Sequence, residues 1–182
     1  MPLIANFVIF QIGWFSSVLG AAYQLPLLGP LVVLVAIVLH LRFAQRPLPE
    51  LALIAACGVI GAFFDSILVV FGWVAYPSGM FHESLAPYWI IGMWMLFATT
   101  LNVSLGWLRG RAWLAAVLGL IAGPMSYIGG QKLGGITFVD QTAALLTLGI
   151  GWAIMLPALS LLAEVLDGTR SGPAAVVVGE RI

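Results

Sequence analysis

Charge is the scarcest commodity of this sequence. Only 8% of the 182 residues are Asp, Glu, Lys or Arg, seven of each sign, for a net charge of zero. A soluble domain carries about 25% charged residues, so a water-exposed fold is excluded. The seven cations are scattered, which excludes the basic patch that nucleic acid requires, and no nucleic-acid partner is expected. Cysteine is limited to Cys57, so there is no internal disulfide and no cysteine-rich metal centre. The two histidines, His40 and His82, fall at opposite ends of the predicted helices and cannot share a metal. His82-Glu83 is followed by Ala86, where a zinc-protease motif needs its second histidine. Gly129-Gly130-Gln131-Lys132 lacks the spacing of a phosphate loop, and no serine sits in a nucleophile elbow. No metal, no cofactor and no catalytic residue is therefore expected.

What is present is apolar length. Hydrophobic residues make up 62% of the chain and mean hydropathy is +1.11. A hydrocarbon layer about 30 Å thick takes about 20 residues at 1.5 Å rise, and the chain divides into six such segments. The fold class expected is all-α, a polytopic membrane bundle of about six transmembrane helices, with the lipid bilayer as its main partner. The first helix runs from Leu3 to Ala22; it lacks the basic leader of a signal peptide and carries Asn6 and Gln11, so it is read as retained. A second starts at Gly29-Pro30 and reaches Phe43, and a third runs from about Glu50 to Trp73. Pro87 opens a fourth that extends to Leu108. A fifth, from Ala112 to about Gln131, is broken by Gly123-Pro124, and a sixth covers Gln141 to Leu166 with Pro157 inside it. Residues 1–166 thus form the transmembrane domain, and 167–182 a mobile cytoplasmic tail. Arg42, Arg46, Arg109, Arg111, Arg170 and Arg181 fall on one side and only Lys132 on the other, which predicts both termini in the cytoplasm.

One acid stands inside these segments. Asp65 continues a strip of small residues, Gly58, Gly61 and Ala62, along one face of the third helix. An ionisable group in hydrocarbon costs roughly 3 kcal/mol or more, so it must face the bundle and find partners. Depth counting at 1.5 Å per residue brings Ser126 and Tyr127 of helix five, and Trp94 to Thr99 of helix four, to its level. The pocket candidates are Asp65, Ser66, Trp94, Thr99, Ser126 and Tyr127. Gly58 to Asp65 also aligns with Gly119 to Ser126, which suggests a threefold repeat of helical hairpins with helices one, three and five innermost.

Asn6-Phe7, Gln11 with Gly13-Trp14-Phe15, Gly29-Pro30, Asp65-Ser66, Tyr76-Pro77-Ser78-Gly79, Pro87 with Trp89, Thr99-Thr100-Leu101 and Gly123-Pro124 with Ser126-Tyr127 give the sequence its particular look. On these residues it resembles a family of small bacterial integral membrane proteins known only as a domain of unknown function, over nearly all the chain up to Leu162. The resemblance implies a multi-pass protein of the bacterial cytoplasmic (inner) membrane and carries over no activity or cofactor. Three functions are open on the residues. The first is a small permease or lipid-handling protein with an outer-half polar pocket around Asp65, as a protonation or ion-coupling site or as a structural acid. The second is a non-catalytic subunit of another membrane protein. The third is an intramembrane enzyme in which Asp65, Ser66, Ser126 and Tyr127 converge.

Overall fold

The computed structural model describes residues 1–170. It contains α1 (Leu3–Ala22), α2 (Leu28–Phe43), α3 (Pro47–Val70), β1 (Val74–Ala75), α4 (Tyr88–Leu101), a single 3₁₀ turn (Gly106–Leu108), α5 (Ala112–Lys132), β2 (Thr137–Phe138) and α6 (Gln141–Val165). Helices α1, α3, α5 and α6 are long and apolar enough to cross a membrane, whereas α2 and α4 are shorter apolar helices. Large apolar side chains such as Phe63 and Ile154 point outward, as lipid-facing residues do.

Local chemistry sets the ends. Pro47 and Pro49 lie in the first turn of α3, where a missing N–H leaves no helical bond unmade. The Asp140 side chain caps α6 by accepting from the Ala143 amide at 3.0 Å. The odd helices share one terminator. In α1, α3 and α5 a residue with positive φ (Gln24, Gly72, Gly134) is followed by an amide that reaches back to a carbonyl five residues earlier, Leu25 to Gly20, Trp73 to Leu68 and Gly135 to Gly130. The hairpin pattern read from the sequence thus has a backbone counterpart, and α1 with α2, α3 with α4 and α5 with α6 are closely packed neighbours.

The centre, however, is not the odd helices. It is α4, which packs against α1, α2, α3 and α6 and buries nine of its 14 residues. By contrast α5 buries five of 21. The second correction concerns length, since α4 stops at Leu101 rather than Leu108. Asn6 of α1 takes both the Thr99 carbonyl (3.0 Å) and the Ser104 amide (3.3 Å), so the chain leaves the helix with its polar groups satisfied inside protein. The third correction is that α5 continues unbroken through Gly123-Pro124. The Leu120 carbonyl that Pro124 cannot bond lies against Gly149 of α6, where no side chain obstructs it.

The two ends differ. At one, β1 pairs antiparallel with β2, and the Ser78 hydroxyl donates to the Ala21 carbonyl at 2.9 Å. The other carries the arginines, and packing there continues past α6: Asp167 is buried and the Gly168 amide donates to Glu50 Oε1 at 2.7 Å. The expected mobile tail therefore does not begin at Asp167; its remainder, residues 171–182, lies outside the described residues.

Candidate functional site

Asp65 sits at the meeting of three helices and a loop, and it is fully buried. Its Oδ1 accepts from the hydroxyls of Tyr127 on α5 (2.6 Å) and Tyr76 after β1 (2.8 Å), and its Oδ2 accepts from the indole N–H of Trp94 on α4 (2.6 Å). Among the described residues no cation pairs with it. An indole N–H can only donate, so the site presents the carboxyl with donors in place of a counter-ion. Burial, and then the adjacent Asp65 carboxylate, push the Tyr76 hydroxyl well above its usual value, so it remains a donor across the physiological range.

Trp94 is placed by what α3 lacks. A Cβ on Gly61 would overlap its indole ring, so the small-residue strip beside Asp65 is the seat of this ring. Trp94 stacks in turn on Trp152 of α6, with centroids 4.6 Å apart and planes 11° from parallel, and Trp152 lies over Gly123 of α5, where a Cβ would meet it at 2.4–2.7 Å if no adjustment occurred. Gly61, Trp94, Trp152 and Gly123 thus form one column joining α3, α4, α6 and α5.

Beside this column lies a cavity of about 490 Å³, within the range of small-molecule sites. Its walls come from α1 (Phe10, Gln11, Trp14), α4 (Met93, Phe97 and neighbours), α5 (Leu118, Ala122, Met125, Ser126, Tyr127) and α6 (Trp152, Leu156), with Leu105 at the end nearer the arginines. Among these helices α4 packs on both α1 and α6, and α6 packs on α5, whereas α1 and α5 have at most sparse backbone contact. The wall is therefore most loosely packed between α1 and α5. Trp14 against Gly129 narrows the gap toward the end that carries β1 and β2.

Of the six residues singled out in the sequence, Asp65, Trp94 and Tyr127 meet as anticipated by depth. The other three do not touch the carboxyl. Ser66 donates to its own Ala62 carbonyl (2.6 Å) and accepts from the Ala86 amide (2.9 Å), Thr99 donates to Leu96 (2.7 Å), and Ser126 donates to Gly123 (2.7 Å) while lining the cavity. Each of these three hydroxyls donates to its own helix, the usual use of Ser and Thr in apolar helices. Tyr76, by contrast, reaches the carboxyl from a loop, and Gln11 and Trp152 line the cavity. The Tyr76-Pro77-Ser78-Gly79 turn was the one available signal for the first.

A second buried cluster lies at the arginine end. His40 Nε2 contacts Glu50 Oε2 at 2.7 Å, and Glu50 Oε1 accepts from Asn102 (2.9 Å) as well as from Gly168. Arg109 donates to Asn102 (2.9 Å) and to Asp167 (2.8 Å), and Arg46 donates to the Asp167 carbonyl. Burial opposes ionisation of Asp167, but bonds from Thr169 and the Arg109 guanidinium outweigh it and hold its carboxyl below the usual range. No group of three His, Cys, Asp or Glu suited to a metal occurs among the described residues.

A family model described as a protein of unknown function, DUF2878, matches residues 3–158, a span that takes in α1 to α5, the Asp65 site and every wall of the cavity. No curated protein and no solved structure was found to match the chain.

Proposed function

The chain belongs to the DUF2878 family of proteins of unknown function, and from that premise we propose that it is a multi-pass protein of a bacterial inner membrane that takes an apolar or amphiphilic molecule sideways from the bilayer. In this reading all six helices lie in the membrane, and the end bearing Arg42, Arg46, Arg109, Arg111 and Arg170 faces the cytoplasm. What supports the proposal is the cavity together with the sparse contact between α1 and α5 at its side. Its lining comes from four helices, mostly from their middle turns, and apart from Leu105 from no connecting segment, which favours a mouth toward acyl chains over one toward water. That favours lipid handling over passage of a water-soluble solute. Asp65 serves this function by fixing two wall residues, Trp94 and Tyr127, from behind.

Native mass spectrometry of the protein released from its own membrane tests the proposal. Wild type retains a bound apolar or amphiphilic molecule, and Ala122→Trp, which plugs the gap from an exposed position of α5, loses it with the fold intact. Equal retention by the two proteins contradicts the reading.

A further inference from the structure

The cavity carries information about the polar part of its ligand. No Asp, Glu, Lys, Arg or His lines it, so an anionic headgroup finds no cation there. Asp65, behind Trp94 and Tyr127, is a carboxyl and offers an anion no counter-charge. A cation fares no better. No carboxylate lines the cavity to balance it, and the faces of two of the rings there, Trp94 and Trp152, are taken by their stacking and by Gly61 and Gly123. Both oxygens of Asp65 already accept.

One polar side chain is nevertheless left over. Gln11 lines the cavity and its carboxamide makes no hydrogen bond among the described residues, although it lies about 12 Å along α1 from Leu3, in the middle of the span. An unpaired amide at that depth has no water to turn to, so it gains from a hydrogen-bonding partner. Deepening the proposed function, on which this step rests, we infer that the ligand is an uncharged amphiphile: an apolar chain carrying a neutral hydrogen-bonding oxygen, such as an ester or ketone carbonyl, that meets Gln11.

The test is competition for photolabelling of the wild-type protein in nanodiscs by a diazirine-bearing alkane. The competitors are four molecules of equal chain length: an alkane, its methyl ester, its carboxylate and its trimethylammonium derivative. The methyl ester is expected to compete about tenfold better than the alkane, the scale of one net hydrogen bond, and better than both ions. In Gln11→Leu the alkane should compete as before while the ester loses most of its advantage. Competition by the carboxylate or the ammonium equal to that of the ester overturns the inference, and so does an ester advantage that survives Gln11→Leu. If the plain alkane itself fails to compete, the lateral cavity reading fails; if it competes and the ester has no advantage, only the choice of ligand class fails.

Discussion

Asp65 shows how much one side chain can organise when its environment is dry. Three aromatic donors converge on it from α4, α5 and the loop after β1, and a hydrogen bond of this kind contributes about 0.5–1.5 kcal/mol net. Asp65→Asn puts an NH₂ where an oxygen accepted, so at least one donor loses its acceptor inside the protein. The expected outcome is a loss of about 1–3 kcal/mol, read as a lower thermal midpoint, with greater exposure of Trp94 by fluorescence. Gly61→Ala attacks the same column from the other side. Its methyl overlaps the Trp94 ring, and overpacking of this kind costs about 1–3 kcal/mol; Ala62→Gly, one position away on the same turn, should be far milder. Thermal unfolding of the three variants side by side checks both expectations. At this scale the sequence was informative wherever helix geometry alone sets position. A rise of 1.5 Å and a period of 3.6 residues were enough to bring Trp94 and Tyr127 to Asp65. They could not bring Tyr76, because its approach depends on a loop held by Ser78 on Ala21 and by Trp89 on the Ser78 carbonyl.

Among the elements, the positions of helix ends were legible from proline, glycine and Asp140, whereas the role of α4 was not. Its stop at Leu101 depends on Asn6, 93 residues away from Thr99 in sequence, and no local pattern announces such a contact. The same holds for the segment after α6. Glu50 reads as an ordinary first-turn acid of α3, yet it is wholly buried and bonded by His40, Asn102 and Gly168. A Cβ on Gly168 would overlap the Arg46 carbonyl, so the chain after α6 docks there only as glycine. Asp167 adds a pH dependence to this docking. Its carboxyl is depressed in the folded protein, so its contribution is fully present above the ordinary aspartate value of about 3.9 and is lost as pH falls through the lower folded value. Hydrogen exchange at the Gly168 amide should therefore rise on acidification below that range, in excess of the intrinsic pH effect. Asp167→Asn should show faster exchange already at neutral pH and little further change.

For the molecule as a whole, the scarcity of charge makes lipid the natural solvent, and helix packing is loosest between α1 and α5. At Gly119 the backbones of α5 and α6 approach closely, and Gly61 and Gly123 seat the rings of Trp94 and Trp152, while α1 and α5 touch sparsely beside a cavity walled by aromatic and aliphatic groups. Composition could establish the solvent, because it sums over every residue. It could not show the gap, which arises from pairwise packing of helices distant in sequence. The orientation proposed from the arginines has its own check: a cysteine placed at Glu83 should react with a membrane-impermeant thiol reagent from outside intact cells, and one at Arg111 only after lysis, with buried Cys57 silent in both. The central claim is that the gap admits a molecule from the bilayer. Peptide mapping of the adducts left by a diazirine-bearing alkane in native membranes addresses it most directly. The account predicts adducts on cavity residues, Gln11 and Met93 above all, that vanish in Ala122→Trp; adducts confined to the outward residues Val8, Val117 and Ile121, unchanged by that substitution, would contradict it.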